Sequence, residues 1–124
     1  MVHSHARYST MFALTHQPIP CVIEEFDIQV GGAVPVADYK LTGSHALADE
    51  VARHVGDRGA VLMANHGLLT IGRDLGETMK AASLVERAAE ISWGARALGE
   101  LVPLPRSTLE RFAPLYEALR GRGR

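Results

Sequence analysis

One imidazole stands where chemistry is possible. His66 lies between two apolar runs, Ala60 to Met63 and Leu68 to Ile71, with Asn65 before it and Gly67 after it. Two short β-type runs separated by polar and glycine residues predict a strand–turn–strand unit, with His66 at its mouth. A lone turn histidine is more often held by backbone than by a ligand. Two further imidazoles, His3 and His5, are spaced i, i+2 in the opening Val2-His3-Ser4-His5. In an extended segment such a pair points to one face. A strand carrying two imidazoles offers two nitrogens to a metal, and His66 would make a third. Three protein ligands with one position open, at roughly 2.0–2.1 Å, is the usual donor set of a catalytic zinc site. The alternative is that His3 and His5 belong to a frayed terminus.

The elements that must hold these residues follow from punctuation and periodicity. Val2 to His5 reads as a strand. Arg7 to His16 is helix-compatible, with Tyr8, Met11, Phe12 and Leu14 on one side and Pro18 as a stop. Arg7 reads as a solvated or capping residue and His16 as a surface residue near the helix end. Between Pro18 and Val36 the prolines and the Gly31-Gly32 pair predict a short strand at Cys21 to Ile23, a loop over Glu24 to Val30 and an extended piece at Val34 to Val36. Glu24, Glu25 and Asp27 read as a solvated acidic loop. Ser44 to Val55 predicts a helix capped by Ser44 and stopped by Gly56, with His45 and His54 exposed on it. Asp74 to Leu98 predicts a long helix with an Asp74/Glu77 capping box. Its two apolar stripes, one through Leu75, Met79, Val85 and Trp93 and one through Leu84, Ala88 and Ile91, imply cover on more than one side. Glu86, Arg87 and Glu90 read as its solvated face. After the prolines of Leu101 to Pro105, Ser107 and Glu110 suggest a last helix that Pro114 should kink or split. The tail from Arg120 to Arg124 reads as a basic, disordered end.

Composition sets bounds. The chain has 124 residues, 47% of them apolar, which suits one layered α/β unit. A formal net charge of -1 gives no reason to expect a nucleic-acid or membrane partner. No apolar run approaches the roughly 18 residues of a membrane span. A single cysteine, Cys21, excludes an internal disulfide and suits a reducing cytoplasm. It reads as a small buried apolar residue without a nucleophile's partner.

The stretches VHSHARYSTMFAL, IPCVIEEFDIQVGGAVPVADYKLTGSHALADEV and AVLMANHGLLTIGRDLGETMKAASLVERAAEI resemble the later part of class II aldolase/adducin proteins, nearest the L-fuculose-phosphate aldolase branch. The resemblance runs to about Pro105. It implies a three-layer αβα sandwich with a largely antiparallel central sheet, here without its N-terminal part. Residues 1–105 would be the C-terminal portion of that domain and residues 106–124 a helical segment with a basic tail. The resemblance also implies a divalent metal, usually zinc, held by His3, His5 and His66, and a homotetramer with sites between subunits. The family's catalytic glutamate, its phosphate-binding loops and a tyrosine from a neighbouring subunit have no counterpart here. Glu24 and Glu25 stand where that tyrosine would fall.

The reaction so implied is cleavage of L-fuculose 1-phosphate or a similar phosphorylated sugar to glycerone phosphate and an aldehyde. A cation held by neutral imidazoles would stabilise the electron pair left when the carbon–carbon bond breaks. Lys40 and Lys80 show no sign of Schiff-base chemistry, and no general acid or base is visible. Other readings are a non-catalytic, adducin-like oligomerisation module and a related sugar-phosphate epimerase or decarboxylase.

Overall fold

The computed structural model describes residues 1–121. Four strands and five helices follow in the order β1 (Val2–Ser4), α1 (Arg7–Leu14), α2 (Glu24–Val30), β2 (Val36–Ala37), α3 (His45–Val55), β3 (Ala60–Met63), β4 (Gly67–Thr70), α4 (Leu75–Arg96) and α5 (Arg106–Leu119). The strands form one sheet in the order β1-β4-β3-β2.

The sheet is mixed, which corrects the expectation of a largely antiparallel one. β3 and β4 pair antiparallel as the predicted hairpin, and β1 pairs antiparallel with β4. β2 runs parallel to β3, with Val36 opposite Leu62 and Ala37 opposite Met63. The physical reason is the connection. Parallel neighbours need a crossover, and α3 supplies it between β2 and β3. β1 lies at one edge of the sheet, with β4 and β3 in the interior.

Alternation along β3 and β4 divides the interior in two. Ala60, Leu62 and Leu68 join Phe12 of α1, Phe26 and Val30 of α2, and Val85, Ala88 and Ala89 of α4. Val61 and Met63 join Val51 of α3, with Leu47, Val55 and Leu69 against them. Removing each large side chain such as Leu62 or Leu68 from water contributes roughly 1.5–3 kcal/mol. These two clusters clamp the central hairpin from both faces, so its turn is a fixed platform.

The helix boundaries follow local chemistry. The Ser44 hydroxyl accepts from the Leu47 amide, and the Asp74 carboxylate accepts from the Glu77 amide, as the sequence predicts. Glu77 returns to the amide of Arg73 rather than to Asp74. Glu24–Val30 is a helix, not the expected loop, and Cys21 to Ile23 is not a strand. The acidic cluster is the first turn of α2, where carboxylates favour the positive end of the peptide dipoles. Phe26 and Val30, four apart, are its buried apolar side, and Asp27 is buried with them rather than solvated, accepting from the Cys21 thiol. Gly31 ends it at φ 85°, where an added Cβ would also stand 2.5 Å from the Tyr116 ring.

The last helix departs from expectation in two ways. It starts after Pro105, so Ser107 is not its cap, and it runs unbroken through Pro114. Pro114 and Glu110, whose carbonyl loses its donor, both lie on the exposed side, where water can satisfy it. Tyr116 is buried and donates to the Asp57 carbonyl. Arg120 donates to the Ile71 carbonyl at 2.8 Å. The rest of the basic tail, residues 122–124, lies outside the described residues. On α4 the buried side is Thr78, Ala81, Val85, Ala88, Ala89 and Ser92. Leu75, Met79, Ile91 and Trp93 of the predicted stripes are exposed. Among the described residues no helix is long and apolar enough to cross a membrane.

Candidate metal centre

The hairpin turn carries the first member of the site. The His66 amide donates to the Met63 carbonyl at 3.0 Å, closing a turn through Ala64 and Asn65. Asn65 takes φ 56°, the left-handed conformation that asparagine tolerates better than most residues. Its amide donates to the Ala13 carbonyl of α1 at 3.1 Å. Its side-chain oxygen lies 2.6 Å from Nε2 of His16. A carboxamide oxygen can only accept, so that nitrogen carries the hydrogen. His16 is exposed, as the sequence predicts, and it also fastens the end of α1 to the turn.

β1 brings the other two members. Val2, His3 and Ser4 lie opposite Thr70, Leu69 and Leu68 of β4. The three imidazoles therefore converge, two from β1 and the residue after it and one from the start of β4. Ring centroids are 4.8 Å apart for His3 and His5, 4.7 Å for His3 and His66, and 5.2 Å for His5 and His66. One ring nitrogen from each lies within 4.8 Å of the others. Nε2 of His3 and Nε2 of His5 are 3.1 Å apart. Two nitrogens bound to one tetrahedral cation at 2.0–2.1 Å stand about 3.4 Å apart, so this separation fits a shared ion.

The donor chemistry fits as well. Nδ1 of His3 lies 2.9 Å from the Leu68 carbonyl oxygen. A carbonyl only accepts, so the hydrogen of a neutral His3 sits on Nδ1 and its Nε2 lone pair faces the cluster. His66 is half-buried, and burial lowers its pKa below the ordinary value, with the neighbouring His3 and His5 adding to the effect. A depressed value keeps the ring neutral, the form a metal requires. Among the described residues no aspartate or glutamate joins the cluster.

Gly67 is the residue that sequence reasoning left unassigned. A Cβ there would stand 2.5 Å from the Ser4 carbonyl oxygen and 3.0 Å from Cδ2 of His5. Only hydrogen fits between the two arms of the cluster. The glycine directly after His66 was the available signal. Glu86, read as part of a solvated face, instead accepts hydrogen bonds from the amides of Tyr8 and Ser9 at the start of α1. Arg7, His45 and Glu24 are exposed and outside the cluster, and Glu25 belongs to the first turn of α2. His54 is half-buried against Glu50 at 3.0 Å rather than exposed. The Cys21 thiol is pushed up to about 12 by burial, with the charge and hydrogen bond of Asp27 adding to it, so it stays protonated and inert.

A model of the family described as the class II aldolase and adducin N-terminal domain matches residues 1–93. The chain belongs to the class II aldolase/adducin family. Among its relatives is the 5-methylthioribulose-1-phosphate/5-deoxyribulose-1-phosphate aldolase of Rhodospirillum rubrum, 32% identical over 117 residues, which are 94% of this chain and 53% of that one. The L-fuculose phosphate aldolase of Haemophilus influenzae is 31% identical over 114 residues, covering 90% of this chain and 51% of that one. A solved L-fuculose 1-phosphate aldolase structure superposes with a TM-score of 0.86 at 33% identity, over 93% of this chain and 54% of that one. The chain thus spans about half the length of the aldolase/adducin relatives it matches. Its sheet and its histidine cluster fall within the residues that the family model covers.

Proposed function

We propose that this chain carries the metal-holding part of a lyase that cleaves a phosphorylated sugar of the L-fuculose 1-phosphate kind to glycerone phosphate and an aldehyde. The observation that carries the reading is the convergence of His3, His5 and His66 in a family whose matched relatives are named as aldolases. His3, His5 and His66 would hold a divalent cation, most simply Zn2+. When bound, such a cation supplies positive charge that polarises a carbonyl and stabilises the electron pair released by carbon–carbon cleavage.

The chain's own residues set the conditions for that chemistry. The Leu68 carbonyl fixes the His3 ring by its Nδ1 hydrogen, and the buried hairpin fixes His66. Cleavage converts the carbinol into an aldehyde by removing its hydroxyl proton, while the other fragment gains a proton at carbon. Both transfers need an acid–base group, and no carboxylate stands in the cluster among the described residues. These 124 residues alone are therefore expected to turn over little or no substrate. Residues 1–105 are the proposed family portion, part of an αβα sandwich in a cytoplasmic homotetramer, and residues 106–124 a C-terminal helical segment followed by a basic tail.

The test is metal content. Wild-type protein purified with zinc should carry about one ion per chain, and His66→Ala should carry far less. Equal content in both would remove the metal reading and leave the non-catalytic module as the better account.

A further inference from the structure

Helix α1 joins the two arms of the histidine cluster. It begins two residues after His5, and near its other end the Ala13 carbonyl accepts from Asn65, next to His66. A helix start leaves backbone amides without partners inside the helix. Ala6, at the cap position, makes no side-chain bond, and the first turn has no acidic residue. The missing acceptor comes from α4. One oxygen of Glu86 accepts from the Tyr8 amide at 2.8 Å, and the other accepts from the Ser9 amide at 2.9 Å and the Ser9 hydroxyl at 2.6 Å. Ser9 is fully buried, so water cannot replace that carboxylate.

We propose that Glu86 is a positioning residue of the three-histidine centre, acting through α1. A carboxylate holding two amides and a hydroxyl fixes both the height of α1 and the path of the chain from His5 into it. Its charge also suits the positive end of the helix. The other end of α1 is pinned to the turn by the Asn65 amide and by His16. Losing the pin at Glu86 frees His5, and with it the geometry shared with His3 and His66. The carboxylate is also spent: with three donors on it, Glu86 is not a candidate for the acid–base group that the cleavage needs.

The inference rests on the metal reading for its main assay, so the experiment has two arms. In the first, Co2+ and Zn2+ affinities are measured by chelator competition for wild type, Glu86→Ala, Glu86→Gln, Ser9→Ala and Ser44→Ala. Ser44→Ala uncaps α3 on the opposite face and serves as the control for lost stability. Glu86→Ala should bind ten- to a hundredfold more weakly, with a changed Co2+ visible spectrum, and Glu86→Gln should fall between it and wild type. Ser44→Ala should keep wild-type affinity and spectrum. In the second arm, NMR of metal-free protein follows the imidazole nitrogens. Glu86→Ala should move the signals of His3, His5 and His66 and leave those of His45 in place. If Glu86→Ala does not fold, Glu86→Gln and Ser9→Ala carry both comparisons.

Affinity within twofold of wild type for the folded Glu86 variants overturns the proposal, and so does equal weakening by Ser44→Ala. If wild type binds neither ion, the metal reading falls alone. The NMR arm then decides, and unmoved ring signals in the Glu86 variants overturn the positioning role.

Discussion

Gly67→Ala tests whether the cluster depends on two strands approaching more closely than side chains allow. Gly67 does not have a positive φ, so alanine meets no backbone penalty there, and the effect is steric. The new methyl would stand 2.5 Å from the Ser4 carbonyl oxygen, where ordinary contact begins near 3.4 Å. Some part of the structure must yield by about 0.9 Å. β4 is held between β1 and β3 with Leu68 fully buried, whereas β1, at the sheet edge, has β4 as its only strand neighbour among the described residues. β1 therefore moves, taking His3 and His5 with it, while His66 stays with the hairpin. Metal–ligand distances tolerate only about ±0.2 Å, so three nitrogens set for one ion no longer reach it together. Zinc affinity should fall ten- to a hundredfold, equivalent to about 1.4–2.8 kcal/mol. Overpacking itself should cost roughly 1–3 kcal/mol of stability. The assay is zinc titration of metal-free protein against a chromophoric chelator, with thermal unfolding followed by circular dichroism. A folded variant that binds one zinc within twofold of wild-type affinity would refute the reasoning.

Two further substitutions probe the scaffold. Gly94 lies inside α4 with nothing within 4 Å of an added Cβ, so Gly94→Ala should stabilise the fold by about 0.5–1 kcal/mol, measured as a raised Tm, and leave zinc affinity unchanged. Burial raises the Glu77 carboxyl pKa, but hydrogen bonds from the Arg73 amide and guanidinium, with the charges of Arg73 and Arg120, bring it below its ordinary value of 4.5. A carboxyl depressed on folding adds stability above its unfolded value and loses it as pH falls through its folded value. Glu77→Gln should therefore cost about 1 kcal/mol at pH 7 and have less effect as pH falls below about 4.5. Denaturant midpoints at pH 7 and pH 3.5 check this, and an equal loss at both would count against it.

What the sequence makes legible is what its local patterns encode. The hairpin announces itself by two apolar runs around Asn65 and Gly67, and the α3 and α4 starts by Ser44 and Asp74. The histidine spacing proposes a cluster that the structure assembles, although two of the rings are some sixty residues from the third. The parallel pairing is hidden because β2 has only two residues, too few to show alternation. The α2 helix is hidden because three nearby prolines and a glycine pair make the stretch look like loop. Its acidic first turn and the i, i+4 pair of Phe26 and Val30 were legible signals that outweighed that punctuation.

Glu86 is of another kind. Its neighbours in sequence are those of a solvated helix face, and the amides it serves lie 77 and 78 residues earlier. A cap supplied by the next residues leaves a motif; a cap supplied by another helix leaves none. The same holds for Gly67, whose necessity comes from a carbonyl on β1 rather than from its own turn. In both cases a residue far along the chain, outside the histidine cluster, meets the stretch from Ser4 to Ser9 that begins beside His3 and includes His5. The chemistry-bearing side chains are thus the readable part of this centre. The contacts that aim them exist only after β1 docks on β4 and α1 docks on α4, so they are properties of the packing.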